Sequence, residues 1–485
     1  MIIDNIEQSQ KQKFDFVIIG SGPAGLTLAL NLEKKKFKIA LVEAGERFFS
    51  EESQNYYKGE INFEFPRKTN ESRLSMFGGT MGHWGGTCRP LDTYDFDKWP
   101  FNKNELNIFT EESTKLLEIK NSFREEYINE NLKLIEFQVS KVQYGEKYFD
   151  KIKNSKFITL YLNSPVINLN GKNFKTEKVK IFSKEKKKTY ELYGKVFVLS
   201  SGGIENSRIL LNLDNINNKL YNSNLPIGNY WYEHPFKELG NGFVQKKNLK
   251  ENLNTSLNHF VNMFNAGNES DAYSIAPTEK FIKNNNILNS CCWLVTHERS
   301  NNNYKNIIKN LLCISPNLSQ DILNMFEKKI SCGATIYSSW EQEPEFLNRI
   351  TLSKKKDQFN NFLPKIIYRK SELVRKTASK VFEEIGHYLI ENNLGRLAGY
   401  EFLFDTNKNY LSDAGWHHMG GTIMGLNEKS SVVDKNLKVH GSKNLFIAGS
   451  SVFPTGGHAN PTLTIVALSL RLGNYLSKNF LRFEI

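Results

Sequence analysis

The residues with the clearest chemistry lie near the two ends of the chain. Near the start, Gly20-x-Gly22-x-x-Gly25 holds Pro23 and Ala24 between its last two glycines, and Glu43 follows 18 positions past Gly25. Each glycine has a physical role. Gly20 permits a tight turn, Gly22 lets the backbone approach a pyrophosphate, and Gly25 lets a helix lie close on a strand. The free N–H groups and positive dipole of the helix start suit a diphosphate, and an acid at the end of the next strand accepts hydrogen bonds from ribose hydroxyls. This is dinucleotide-binding chemistry. Near the other end, GWHHMGGTIMG (415–425) sets His417 and His418 side by side, and Asn460-Pro461-Thr462 precedes an apolar stretch. Successive residues of an extended segment face opposite ways, so one imidazole of the pair should meet a substrate. A positioned histidine titrates near neutrality and suits proton transfer.

The elements that must hold these residues can be read around them. Val17, Ile18 and Ile19 form the short apolar run of a buried parallel strand. The helix after the glycines carries Leu26, Ala29, Leu30 and Leu32, and a second strand runs from Lys38 to Val42. A second glycine-rich stretch, SRLSMFGGTMGHWGGTCRPLD (72–92), has glycines at 78, 79, 82, 85 and 86. That density forbids helix or strand interior. With His83 and Trp84 inside it, the loop reads as a ligand wall in which Gly79, Trp84, Gly85 and Gly86 approach a bound group.

Residues 100–155 read as mostly helical and polar. KFITLYL, SPVINL, VKIFS, TYELY and KVFVLSS read as strands between 156 and 201, and a helix is expected from near Glu205. A long helix is predicted from Glu372 to Asn392, with Val374, Ala378, Val381, Ile385 and Leu389 on one face. Leu445–Ala448 reads as a buried strand. Asn460 at the N-cap and Pro461 at the first helical position predict an apolar helix over 461–476. Between 237 and 411 no other motif is legible.

The 485 residues are 39% hydrophobic and 24% charged, enough apolar matter for a packed core. The net charge of +12 comes from scattered lysines. No nucleic-acid motif accompanies it, so no nucleic-acid partner is expected. The cysteines at 88, 291, 292, 313 and 332 have no metal or CxxC spacing. Reduced thiols, no metal site and no disulfide framework follow. No apolar run approaches the ~18 residues of a membrane span, and the first residues lack the apolar core of a signal peptide. A cytoplasmic location is the expectation.

Five motifs in order resemble those of the glucose–methanol–choline (GMC) flavoprotein oxidoreductases. They are the GxGxxG with Glu43, the GG-x-x-x-HWGG loop, the EHP at 233–235, the HHMGGTxMG run and the terminal GGHANPTLT. The loop around His83 and the ANPTLT end are most similar to the branch holding pyranose oxidase and bacterial sugar or polyol dehydrogenases. The resemblance implies an α/β fold: a discontinuous Rossmann-like FAD-binding domain plus a substrate-binding domain with a mostly antiparallel sheet. The implied division is 1–105, 156–236 and 412–485 for FAD, 106–155 as a helical insertion or cap, and 237–411 for substrate.

It implies FAD as cofactor and oxidation of an alcohol to a carbonyl, with a small-molecule alcohol as substrate. The implied electron acceptor is a quinone, a partner protein or oxygen, with a dehydrogenase favoured over an oxidase. The alternatives are a lyase on the same scaffold with non-redox FAD, or a non-carbohydrate alcohol. In that register His417 matches the catalytic base, His418 the following slot, and Asn460 the second member of the pair. His83 falls where some relatives attach FAD covalently. Val166, Ser201, Gly202, Asn206, Gly449, Ser450, Asn460, Pro461 and Thr462 match positions beside the cofactor. His458 is a candidate third group, and His234 is expected to support the site from beneath.

Overall fold

The computed structural model describes residues 13–62, 68–216, 219–244, 271–296, 334–408 and 413–483. His259, His297, Cys313, Cys332 and the Asn-rich break at 301–303 lie outside them.

The apolar run of β1 (Lys13–Ile19) is buried on both faces, as a central parallel strand requires. It pairs in parallel with β2 (Ile39–Val42) on one side and β10 (Lys188–Leu199) on the other. Beyond β2 lies β7 (Ile158–Tyr161), and β19 (Leu445–Ile447) lies parallel to the last residues of β10. The parallel strands thus run third, second, first, fourth, fifth in chain order. This is the order of a doubly wound nucleotide-binding sheet, in which the ligand crevice opens where the order reverses, beyond the carboxyl ends of β1 and β10. The sheet continues antiparallel through β9 (Lys175–Ser183) and β8 (Val166–Lys172). TYELY and KVFVLSS, read as two strands, are one: the first half of β10 pairs with β9, the second with β1 and β19.

Four of the longer helices flank these strands, α1 (Pro23–Glu33), α2 (Tyr144–Lys153), α3 (Gly202–Asn215) and α5 (Thr462–Lys478), while α4 (Glu372–Glu391) lies on a second sheet. The buried faces of α1 and α5 pack on each other and on β1, closing the largest core. Two starts differ from the sequence reading. α3 begins at Gly202, not near Glu205. α5 begins at Thr462 with Pro461 as its cap and no side-chain capping bond. The physical reason for the second difference is that the Asn460 amide is engaged elsewhere, as described below.

The second sheet is antiparallel throughout. Its order is β17 (Gly395–Gly399), β11 (Pro235–Val244), β14 (Ala334–Trp340), β13 (Ser290–Thr296), β12 (Asp271–Pro277), β6 (Leu132–Val139) and β4 (Thr87–Cys88). β18 (Asp413–Ala414) pairs with β11, and β5 (Glu125–Tyr127) with β6. α4 lays Val374, Ala378, Val381, Ile385 and Leu389 against this sheet, the face its periodicity predicts.

The helical reading of 106–155 holds at Thr110–Leu117 and at α2 and is corrected between them, because β5 and β6 belong to the sheet. Lys133, Glu136 and Gln138 make the β6 segment look exposed, yet all three are buried and pair within the protein. A third sheet joins the hairpin β15 (Arg349–Lys356) and β16 (Phe362–Ile367) to β3 (Glu60–Ile61).

Candidate active site

The carboxyl ends of β1 and β10 set the groove. Gly20 turns out of β1 with φ +103°, and a Cβ there would sit 2.5 Å from the Ser200 carbonyl oxygen. Only glycine meets both demands. Gly25 lies directly over Gly20 at the start of α1 and brings the helix close.

Three adjoining cavities run along the groove. The first is lined by Glu43, Val166 and the tip of the β15–β16 hairpin. The middle one is lined by Gly20, Gly22, Pro23, Ala24, Gly79, Ser201, Gly202, Gly449 and Ser450. The last, of about 490 Å³, is lined by His83, Trp84, Gly85, Gly86, His417, His418, Asn460, Pro461 and Thr462. Neighbouring cavities share Gly20, Glu43, Pro23, Ser201 or Gly202, so they form one channel.

This channel fits FAD. At Gly22 and Gly202 a Cβ would meet nothing within 4 Å, so the bare backbone there faces open groove, as a diphosphate cradle needs. Glu43 sits at the nucleoside end. Its carboxylate accepts from the Ser21 backbone N–H at 3.1 Å, the Ser21 hydroxyl at 2.6 Å and the Gly45 N–H at 2.8 Å. Burial pushes its pKa up, against the pull of these donors.

Two expected cofactor residues act from behind the groove. Gly25 serves packing. Asn206 is fully buried: it accepts from the Ser201 N–H at 2.9 Å and donates to the Ala448 carbonyl at 3.2 Å and the Ser451 hydroxyl at 3.0 Å. It ties α3 to the end of β19. His83 is exposed at the rim of the last cavity, and Trp84 donates its indole N–H to the Val142 carbonyl at 2.9 Å.

The histidine pair is presented by a bulge. Ala414 pairs with Pro235, the Gly415 N–H donates to the His234 carbonyl at 2.9 Å, and Met419 pairs with Tyr232. Between these points Trp416, His417 and His418 stand opposite Glu233, so the segment must buckle. Trp416 takes up the excess with φ +59°, which a bulky residue rarely adopts. The result sends the two imidazoles apart.

His417 places Nε2 3.0 Å from the Asn460 amide nitrogen and Nδ1 2.9 Å from Nδ1 of His234. Burial, and then the neighbouring His418, push the His417 pKa down to about 4. His418 turns to the buried Glu233, 2.9 Å from its Oε1, and to the Ser72 hydroxyl at 2.9 Å, with its ring stacked on Trp231. His458 does not line the channel. It lies in a separate buried cluster with Asp92, 3.9 Å away, and burial holds its pKa near about 3.

Several site residues went unread in the sequence. Tyr57 borders all three cavities, beneath the Arg73 guanidinium at 4.1 Å, and Arg73 is paired with buried Glu205 at 3.0 Å. Glu233 stood in the quoted EHP, and Ser72 and Arg73 opened the quoted loop, so a signal was there. The hairpin tip at the nucleoside end left none.

Comparisons with known proteins agree with this layout. Residues 344–469, which include His417 and Asn460, match the GMC oxidoreductase C-terminal family model. Residues 14–225 match the pyridine nucleotide-disulphide oxidoreductase model.

The chain is 28% identical to the fructose dehydrogenase large subunit of Gluconobacter japonicus over 291 residues, 59% of this chain and 47% of that one. It is 46% identical to the 2-methyl-1,2-propanediol dehydrogenase of Mycolicibacterium austroafricanum over 66 residues, 14% of this chain and 12% of that one. The matches thus span about half, or far less, of these relatives' length. A pyridoxine 4-oxidase from Mesorbium loti shares the fold with a TM-score of 0.58 at 14% identity, over 96% of this chain and 99% of that one. The channel and these matches show a GMC oxidoreductase C-terminal domain over residues 344–469 behind a nucleotide-binding domain over 14–225, with FAD as the cofactor.

Proposed function

We propose that the protein oxidises an alcohol to a carbonyl, and that the alcohol is a secondary hydroxyl of a sugar, glycoside or polyol. The observation that carries this reading is the His417–Asn460 contact of 3.0 Å at the far end of the FAD channel. Bound FAD supplies the hydride acceptor. The chain must then hold the alcohol oxygen and remove its proton. Without substrate the Asn460 amide nitrogen lies on Nε2 of His417; a bound alcohol oxygen would come between them, accepting from Asn460 and donating to His417. His417, neutral at pH 7 because burial depresses its pKa, offers Nε2 as the base. The start of α5 turns its free N–H groups and positive dipole into the same cavity, which favours negative charge developing there.

The carbohydrate reading is supported by the fructose dehydrogenase among the relatives. The names of this relative and of the diol dehydrogenase support a dehydrogenase over an oxidase, and the acceptor we propose is a quinone, a partner protein or oxygen. Among the described residues, no helix is long and apolar enough to cross a membrane.

The test is anaerobic titration of the purified flavoprotein with D-fructose, D-glucose, methyl glycosides, glycerol and 2-methyl-1,2-propanediol. Bleaching of the flavin band with formation of a carbonyl product is expected for at least one compound. An unbleached flavin across the whole panel would refute the proposal. Reoxidation by a soluble quinone should outpace reoxidation by oxygen. A flavin band that stays with the denatured chain would show a covalent attachment, for which His83 is the candidate, and its loss would exclude one.

A further inference from the structure

The base is half of a pair, an inference that rests on the function proposed above. His417 and His234 meet Nδ1 to Nδ1 at 2.9 Å with their rings at 88°. Two ring nitrogens this close need one proton between them, since two lone pairs or two N–H groups would repel. The far end of the His417 ring decides which imidazole owns it. Asn460 presents its amide nitrogen, a donor only, to His417 Nε2. Nε2 is therefore the acceptor, and the proton of neutral His417 is on Nδ1. That proton points at Nδ1 of His234, so the proton of His234 is on Nε2. Nε2 of His234 is buried and makes no hydrogen bond among the described residues, and the nearby backbone of Gly456 and Gly457 favours protonation of the ring. The Asn460 end of the array thus sets one pair of tautomers.

We propose that His234 is a proton-sharing partner of the base: it holds His417 in the tautomer that offers Nε2 to the alcohol, and it takes the Nδ1 proton as the alcohol proton arrives. The step balances. The alcohol O–H breaks and a bond from Nε2 of His417 to that proton forms. The Nδ1–H of His417 breaks and an Nδ1–H on His234 forms, while the hydride leaves carbon for the flavin. The positive charge moves one ring away from the cavity. His234 is fully buried and does not line the channel, so it acts through His417 as a positioning residue.

Burial, then His417 and His458, hold the pKa of His234 well below its ordinary value, so the charge it takes is short-lived and the proton is passed back. On the cavity side stand His418 and its partner Glu233. Beyond His234 lies His458, with Asp92 3.9 Å from it, and Glu341 accepts from the Gly457 N–H at 3.3 Å. Asp95 accepts from Asn289 in the same cluster, and Lys133 and Arg89 face Asp92.

Two arms test this. In the first, ¹⁵N-histidine-labelled, FAD-loaded protein is examined by NMR near pH 7 without substrate. The expected result is His417 protonated on Nδ1 and His234 on Nε2. His417 protonated on Nε2 overturns the proposal. In the second, flavin bleaching by the panel alcohol is followed in H₂O–D₂O mixtures for the unmodified protein, His234→Asn and His234→Phe. Asparagine can accept from Nδ1 but cannot carry the proton onward. A curved proton inventory is expected for the unmodified protein and a linear one for His234→Asn. Bleaching should slow about tenfold in His234→Asn and about a hundredfold in His234→Phe, within the range for positioned acid–base groups. Retained FAD and an unchanged melting temperature identify folded variants. An inventory and rate unchanged in folded His234→Asn overturn proton sharing. If no alcohol bleaches the flavin, the proposed function fails, and the NMR arm still decides the tautomers.

Discussion

His417 has one ring nitrogen turned to the cavity and one to the protein, and burial keeps it uncharged. Positioned base catalysis is worth about 10²–10⁴-fold. His417→Ala should therefore lose at least a hundredfold in turnover while keeping its flavin spectrum; near-normal turnover would remove it from the role.

Three buried histidines also link stability to acidity. His234 is held well below its ordinary range, His417 near about 4 and His458 near about 3, in each case chiefly by burial. The unfolded chain protonates them at about 6.5. Between these values it binds more protons than the native state, so their contribution is full above pH 6.5 and falls as the pH drops. Buried Glu43, Asp95 and Glu341, whose pKa values are raised by burial, act in the opposite direction. The share of His458 must therefore be isolated by comparison. His458→Leu should show a shallower loss of melting temperature between pH 6.5 and 4 than the unmodified protein, and equal slopes would show that His458 is not neutral in the fold.

At the scale of elements, sequence reading succeeded where a motif is local and failed where burial is set by distant partners. The strand–glycine–helix opening and the stripe of α4 can be read because each is complete within a short window. β6 could not, because the partners of its charged residues lie elsewhere in the chain. Lys133 looks like a solvent-facing lysine in sequence, yet it is buried 3.2 Å from buried Asp92. Burial alone would raise the pKa of Asp92, but His458, Lys133 and Arg89 together hold it well below the usual carboxylate range. Removing one partner of a buried pair leaves a stranded charge and costs about 3–5 kcal/mol. Lys133→Met should destabilise the protein by that order in urea unfolding, and Lys133→Met with Asp92→Asn should recover part of the loss. A single variant within about 0.5 kcal/mol of the unmodified protein would mean the pair is solvated. The capping role read for Asn460 from local rules failed in the same way, because its amide meets the imidazole of His417, 43 residues away in sequence, the partner that the resemblance implies.

At the scale of the whole molecule, the first sheet is assembled from three distant stretches of chain, and the cofactor channel lies where they converge. That geometry separates the glycines that shape the fold from those that leave room for the cofactor. A side chain at Gly20 would run into Ser200 and would need φ +103°, so Gly20→Ala strains the turn joining β1 to α1. Gly22 has φ −69° and open groove beyond it, so Gly22→Val suits the backbone and blocks only the cradle. Valine there should therefore abolish FAD binding while the FAD-free protein melts close to the unmodified apoprotein. Alanine at Gly20 should lower the melting temperature of the apoprotein itself. FAD adds stability to the unmodified protein by mass action, about 2.7 kcal/mol at a hundredfold excess over Kd. That increment should vanish for Gly22→Val, and calorimetry of the two apoproteins with and without added FAD measures it. Undiminished FAD binding by Gly22→Val would mean that the diphosphate does not lie on this turn, and the channel would have to be assigned to another ligand.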